Sequence, residues 1–561
     1  MPTKYLTEPV TLSSFSDDTL FSTVGLDREP VINRRNGQLK LRVMDGITPG
    51  GRAMGNGMLN VVMTPTIAYP IDQSENVSIQ PILRSSAFTA SGSGTHTHVA
   101  TRWQLSKVAD FSIIAYDSGY RTTPLEYLDL FAISVELDFD TEYYARVMYK
   151  SNDGFFSEWS DAVNFRTRVF GLTGNEVTKL LPSNGTANLG FYRKVALSYY
   201  GTRAAVGAVD GNGAVYIYDN TESGWVQSAI LYASDGASGD YFGDTLSFSA
   251  DGNRLAIGAT NHDVGGNSNA GAVYIFDYVN GVWTETTKLV SPVPSAEAIF
   301  GVWVQFNTAG NRLFVSSYKH NGNNGRKGAV FVFDKAGEAW NSTMISHPES
   351  VADDWFGYNI SCSDDGNTLA TSAIYRDDEV DGSGKVYIYK YENSAWTCAS
   401  TIMSSTPLKD DWLGISLSLS GDGKTLVTGS YRTSANVLNA SRVHVFVENA
   451  GVWSEEAQII SPSAYPEDRF GRFVSTGYSG DVFVASDMYD DTRGADAGAV
   501  YVYTRSNGVW SMQRKILGSE IAGGHQFGYA PVLSRNEQLM IAGSPYDSTM
   551  GLSCGAAYIF R

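Results

Sequence analysis

Residues 242–276 read FGDTLSFSADGNRLAIGATNHDVGGNSNAGAVYIF. After the Phe-Gly pair comes an alternating run, Thr245-Leu246-Ser247-Phe248-Ser249, with the period of two of a strand that buries one face. Asp251-Gly252-Asn253 interrupts it. Asp-Gly between alternating runs is a hairpin signal, because the tight turn needs a positive φ that glycine adopts without strain. LAIGA (255–259) is a second strand, a variable polar loop follows, and GAVYIF (271–276) is a third. A short turn ending at Trp283 starts a fourth, WTETTKLV (283–290). The stretch therefore predicts one antiparallel sheet of four short strands.

The pattern recurs along the chain. A Phe-Gly or Leu-Gly pair stands at Leu189-Gly190, Phe242-Gly243, Phe300-Gly301, Phe356-Gly357, Leu413-Gly414, Phe470-Gly471 and Phe527-Gly528, in steps of 53, 58, 56, 57, 57 and 57 residues. Trp225, Trp283, Trp340, Trp396, Trp453 and Trp510 step by 58, 57, 56, 57 and 57. Two independent marks with one period signify a repeated supersecondary unit. The third strand returns as GAVYIY (213–218), GAVFVF (328–333), GKVYIY (384–389), SRVHVF (441–446), GAVYVY (498–503) and GAAYIF (555–560). The seventh unit has no fourth strand, since Arg561 follows GAAYIF directly. Val177-Thr178-Lys179-Leu180-Leu181-Pro182 matches the fourth-strand text Thr286 to Val290, with Pro292 shortly after, and the Ile459 to Pro462 segment. The reading predicts an all-β, seven-bladed β-propeller over residues 171–561. Residues near 175–182 complete the last blade beside the strand ending at Phe560. Such closure removes free sheet edges.

These units resemble FG-GAP repeats, the propeller repeats also found in integrin α subunits. The resemblance covers roughly residues 175–561. It rests on the Phe-Gly mark and on a Gly-Ala mark, Gly207-Ala208 and Gly258-Ala259, which becomes Ser316-Ser317, Ser372-Ala373, Gly429-Ser430 and Gly543-Ser544 further on. The D-x-D-x-D-G-like run of integrin-type calcium loops is not found.

Upstream the text changes. Leu137, Thr141 and Tyr143 have the L-x-x-x-T-x-Y spacing of a tyrosine corner, Tyr143-Ala145-Val147 alternates against Tyr144-Arg146-Met148, and Trp103 is the expected core tryptophan. Residues 68–170 thereby resemble a fibronectin type III module, a fold used mostly as spacer or platform. Residues 1–67 lack clear periodicity, apart from short strands such as Gln38 to Val43. They are expected to form an extended arm that orders by docking on a partner, with Phe15, Leu20, Phe21, Val24 and Leu26 to bury, a poorly ordered leader being the alternative.

The formal net charge of −18 argues against nucleic acid and against anionic membranes as partners. Three cysteines, Cys362, Cys398 and Cys554, without C-x-x-C spacing make neither a disulfide framework nor a zinc site. The first residues lack the apolar core of a secretion signal, and no apolar run approaches a membrane span.

Candidate chemistry is sparse. Asp240, Asp354, Asp411 and Asp468 recur two residues before the mark, while Asp251, Asp365 and Asp422 open the Asp-Gly turns. Capping of loop N–H groups accounts for both sets, with calcium as the alternative. His96 and His98 would share a strand face and hold a metal only with further ligands. The neighbouring acids Asp377-Asp378 and Asp490-Asp491 read as solvated charge in preference to a glycosidase pair, and no local motif gives a Ser/His/Asp set. Ser91–Gly94 lacks the lysine and helix of a phosphate loop. The residue before the mark is aromatic in three units, Tyr241, Trp355 and Trp412, which blade symmetry puts on one rim. Aromatics beside carboxylates suit sugar stacking or a protein interface, and wedging between blades is the plainer alternative.

An arm, a spacer-like sandwich and a terminal ring, with no catalytic constellation and no expected cofactor, resemble the structural proteins of tailed-bacteriophage virions. The expected function is host-surface recognition or subunit contact by a multicopy virion protein held through its N-terminal region to other virion proteins. The alternatives are a bacterial surface adhesin or lectin-like protein and, last, a glycan-processing enzyme on the same scaffold.

Overall fold

The computed structural model describes residues 30–35, 38–43, 52–53, 61–77, 81–91, 95–130, 133, 135, 137, 141–167, 172–322, 325–377, 380–431, 441–462, 469–506 and 508–561. The chain divides into two compact units, Met1–Phe170 and Gly171–Arg561. All regular structure among the described residues is β.

In the first unit, Pro30–Arg35 pairs antiparallel with Gln38–Val43, which continues to Arg52–Ala53. The apolar residues expected to dock the arm, Phe15 to Leu26, lie outside the described residues. A five-stranded sheet runs Ile114–Asp117, His98–Ser106, Glu142–Ser151, Val163–Thr167, Ser74–Val77, and a three-stranded sheet runs Tyr127–Asp129, Ile82–Ser85, Ile67–Tyr69. They share a core of Leu83, Trp103, Leu105, Leu128, Tyr143, Tyr149 and Phe165 that reaches back to Val62. Strand Glu142–Ser151 alternates as its sequence demands, with Tyr143, Ala145 and Val147 inward. Trp103 and Tyr143 thus occupy core positions.

The second unit is a β-propeller. Its described residues form seven four-stranded antiparallel sheets, six of which take four consecutive long strands. The other combines Glu176–Leu180 with Tyr529–Leu533, Met540–Ser544 and Ala556–Phe560. Glu176 to Leu180 pairs antiparallel with Phe560 to Ala557, as the VTKLLP match requires. A small hairpin that the repeat pattern does not foreshadow, Asn321–Gly322 with Gly325–Arg326, decorates the third sheet's loop.

The innermost strands pack in a cycle: Phe191–Leu197, Phe242–Phe248, Val304–Phe306, Phe356–Cys362, Ser416–Leu419, Val474–Thr476, Tyr529–Leu533, and back to Phe191–Leu197. Hydroxyls tie this cycle together. Ser247, Ser361, Ser418 and Ser475 accept hydrogen bonds of 2.9–3.0 Å from the backbone N–H of Phe306, Leu419, Thr476 and Leu533 in the next sheet. Each serine satisfies a donor on a strand edge that has no strand partner, which would otherwise cost about 1–3 kcal/mol.

The drift of the Gly-Ala mark has a packing explanation. A Cβ on Gly207 would lie 2.0 Å from the carbonyl oxygen of Gly243 in the next sheet, so only glycine fits there. Where serine stands instead, its hydroxyl donates to the same carbonyl, Ser316 to Gly357 and Ser372 to Gly414. Both residues solve one inter-sheet contact.

Candidate binding site

Every unit enters its innermost strand through a residue in the left-handed region. The φ values are +60° at Tyr241, +48° at Ile299, +59° at Trp355, +52° at Trp412, +54° at Arg469 and +51° at Gln526. For a non-glycine residue this costs about 1–2 kcal/mol, and it persists because the neighbouring sheet holds the next residue. The N–H of Phe300, Leu413 and Phe527 donates at 2.8–3.0 Å to the carbonyls of Ala270, Ser383 and Ala497, each just ahead of a third strand.

This geometry corrects the first repeat. The N–H that donates to Cys554, just ahead of the seventh unit's third strand, belongs to Phe191. Phe191 also packs edge-on against Tyr216, as Phe242 does against Tyr274. The structural counterpart of the mark is therefore Phe191, preceded by Gly190 at φ +70°, and not Leu189-Gly190. The text misleads because Leu-Gly happens to stand two residues upstream of the buried ring.

Of the three aromatics expected on the rim, Tyr241 is exposed at 38% and lies 5.9 Å from the Arg193 guanidinium. Trp355 and Trp412 are half-buried. Trp355 meets Tyr318 of the preceding sheet at 4.9 Å and Tyr358 and Tyr375 of its own at 6.0 and 4.6 Å. Trp412 meets Tyr375 at 5.4 Å. The indoles thus belong to a run of five rings, Tyr318, Tyr358, Trp355, Tyr375 and Trp412, that bridges the third, fourth and fifth sheets. They touch across neighbouring sheets and keep part of their faces open to solvent.

At the axis beside this run stand residues that repeat reading missed. The Lys194 ammonium lies 3.3 Å from the centre of the Trp303 ring and 5.2 Å from Phe473. These belong to the first, third and sixth sheets, so the contact crosses the axis. Tyr529 of the seventh sheet packs on Phe473 at 4.9 Å, and the Arg472 guanidinium lies 4.9 Å from that ring. Arg193 donates to Asp244 at 2.8 Å. Lys194 is half-buried. Burial pushes its ammonium well below the ordinary lysine range; Asp244 opposes this, and Arg472 and Arg193 reinforce it. One signal was available in the text. Lys194, Trp303 and Phe473 all stand three residues past the marker ring, where other units carry Thr245, Asn359, Ser416 and Ala530.

The opposite end of the channel is plugged. Arg535 donates to Asp364 at 2.9 Å and to the Leu419 and Thr476 carbonyls at 3.0 and 3.2 Å, beside a cavity of about 190 Å³. The two ends of the axis differ in consequence: one is spanned by a half-buried ion pair, the other lined with rings and cations.

The remaining candidates have structural partners. Asp240 and Asp354 accept the N–H of Ala237 and Val351, each at 2.9 Å, and pair with His262 and Arg376. Asp411 is buried, and Asp468 lies outside the described residues. Asp251, Asp365 and Asp422 accept the N–H two residues on, closing their turns. His96 and His98 do not act as a pair. Strand His98–Ser106 begins only at the second, His96 pairs with Asp153 at 2.8 Å, and His98 bonds Thr101 and stacks on Phe88. Asp378 lies outside the described residues. Asp490, read as solvated, is buried instead and takes the Tyr501 hydroxyl at 2.9 Å and the Lys515 ammonium at 2.5 Å. Among the described residues no group of three or more His, Cys, Asp or Glu could hold a metal.

One constellation has the connectivity of a nucleophile, base and orienting acid. Ser430 Oγ lies 2.9 Å from His444 Nε2, whose Nδ1 lies 2.6 Å from Glu455. The three sit on adjacent strands of the fifth sheet, where His444 stands at the place of Tyr216, Tyr274, Phe331, Tyr387, Tyr501 and Tyr558 in the other third strands. Ser430 and His444 are fully buried, so a substrate does not reach the hydroxyl and the group serves as a polar core network.

The FG-GAP repeat family matches residues 225–276, 345–389 and 453–503. No curated protein sequence matches the chain significantly. Among solved structures, a chain of the mitotic checkpoint complex is 13% identical with a TM-score of 0.45, covering 70% of this chain and 96% of its own. U3-55K is 10% identical at 0.44, covering 70% and 100%, and the WD40 repeats of RRP9 are 9% identical at 0.44, covering 70% and 98%.

Proposed function

We propose that the C-terminal unit is a seven-bladed propeller, each four-stranded sheet being one blade, and that it is a binding head without enzymatic activity. The first unit carries a fibronectin type III-like sandwich, and the region before it attaches the chain to a tailed-bacteriophage virion. The head faces the host surface, and its partners are host glycan or protein on one side and other virion proteins on the other. No resident cofactor takes part.

The observation that supports this reading best is the aromatic run at the open axial mouth. Tyr318, Tyr358, Trp355, Tyr375 and Trp412 gather on one face of a rigid ring, and partly exposed rings in such a cluster are suited to stacking on sugars or to burial by a partner. Recognition needs no moving part: the left-handed entry residues hold the rim in place before a ligand arrives, which lowers the cost of ordering on binding.

The test uses the full chain, fluorescently labelled, on candidate host cells, with Trp355→Ala/Trp412→Ala as comparison. The expected result is saturable cell binding that the double variant lowers at least tenfold with the fold retained by circular dichroism. Equal binding by both would refute the rim as the recognition surface. Antibody labelling of phage particles by electron microscopy checks the location, and labelling of phage-free cells instead would favour the adhesin reading.

A further inference from the structure

The axial mouth carries cations as well as rings, and what they imply rests on reading the rim as a binding surface. Lys194 and Arg472 contact aromatic faces, and neither side chain has a hydrogen-bond or ion-pair partner among the described residues. Arg193 stands beside them with Asp244 as its partner. Three cations against one carboxylate at this spot contrast with a chain that has 59 acidic and 41 basic residues. Within a Debye length of about 8 Å the local cations dominate what an entering group senses.

We infer that the axial mouth binds an acidic saccharide, with the sugar's anionic group on Lys194 and Arg472 and its C–H face on the neighbouring rings. An ammonium and a guanidinium free to donate are the natural partners of a carboxylate or phosphate. Trp355 and Tyr358 lie almost parallel, 14° apart, and are half-buried, so they offer adjoining flat apolar surface. An acidic peptide fits less well. Peptides that add to a sheet need an open strand edge, and the inner edges already donate to Ser247, Ser361, Ser418 and Ser475. The site exists only in the assembled ring, since its groups come from the first, second, third, fourth and sixth sheets.

The experiment is titration calorimetry on the intact chain with tetragalacturonate and with its methyl ester, which keeps the sugar and removes the charge. The expected result is binding of the acid at least tenfold tighter than of the ester, weakened by salt. Lys194→Met and Arg472→Gln should each lower affinity for the acid at least tenfold with the melting temperature retained. Two variants are used so that misfolding of one leaves the other informative. Equal affinity for acid and ester, no binding of either, or wild-type affinity in a folded variant overturns the inference. So does equally tight binding of inorganic phosphate, which would show an anion site without sugar, or of an acidic tetrapeptide. Failure here with cell binding intact would leave the proposed head function standing, whereas loss of both would remove the two together.

Discussion

Replacing Lys179 with methionine should lower the melting temperature of the propeller by about 4–6 °C at pH 7. Lys179 lies on strand Glu176–Leu180, which completes the sheet of the chain's last three strands. Its ammonium reaches Asp547 at 2.9 Å and Glu520 at 2.7 Å and donates to the Thr549 hydroxyl at 2.6 Å. The Asp547 side chain is 1% exposed, so methionine would leave a buried carboxylate without its cation. Breaking a buried pair in this way costs about 3–5 kcal/mol. With an unfolding entropy of about 2.1 cal/mol/K per residue over the roughly 390 residues of this unit, or about 0.8 kcal/mol/K, that cost becomes the stated shift. The pH dependence supplies an independent check. Burial alone would raise the Asp547 pKa, but hydrogen bonds from Lys179, Thr549 and Tyr558 outweigh it and hold the carboxyl below its ordinary value. A depressed carboxyl stabilises the fold above its unfolded pKa, about 3.9, and loses that contribution as pH falls through the folded value. The gap between wild type and variant in scanning calorimetry should therefore be full at pH 7 and shrink below about pH 4. A gap under 1 °C at pH 7, or one constant down to pH 3, would refute the reasoning.

Gly207→Ala should prevent folding or cost several kcal/mol, because the added methyl meets the Gly243 carbonyl at 2.0 Å; a soluble variant with the wild-type urea midpoint would contradict this. Ser372→Ala should cost about 1–3 kcal/mol in urea unfolding by leaving the buried Gly414 carbonyl without its donor. For Glu455, burial would raise the pKa, but bonds from His444, Ser405 and Gln458 bring it to about 2. Its stabilisation, at most about 3 kcal/mol, is present above pH 4.5 and fades toward pH 2, so Glu455→Gln should flatten the acid limb of the stability curve. Truncation before Ala556 removes the strand that joins Glu176–Leu180 to Met540–Ser544, and limited proteolysis should then digest the whole ring instead of one sheet.

The strands of the propeller could be read directly, because alternating and continuous apolar runs broken by tight turns are written into local text and recur with one period. GAVYIF and its relatives became third strands, the Asp-Gly pairs became closed turns, and VTKLLP paired where the missing fourth strand was needed. The first marker was misplaced by two residues because Leu-Gly mimics the pair, while the position is defined by Phe191 filling a pocket and reaching Cys554. Asp490 was misread for a related reason: a loop aspartate looks solvated until a tyrosine and a lysine from other strands close over it.

Sequence by itself determined what is periodic: four-strand units, their turns, and the offset between the chain ends that lets an early strand complete a late sheet. These depend on residues a few positions apart, where hydrophobic alternation and backbone sterics act locally. Tertiary structure decided what is singular. Lys194, Trp303 and Phe473 share a repeat position but no residue type, stand more than a hundred residues apart, and meet only once the ring closes, as Arg535 meets Asp364 only across the axis. Closing the sheets into a cycle brings their inner edges to one line, so the distinct residues of separate repeats meet there and the two ends acquire different chemistry.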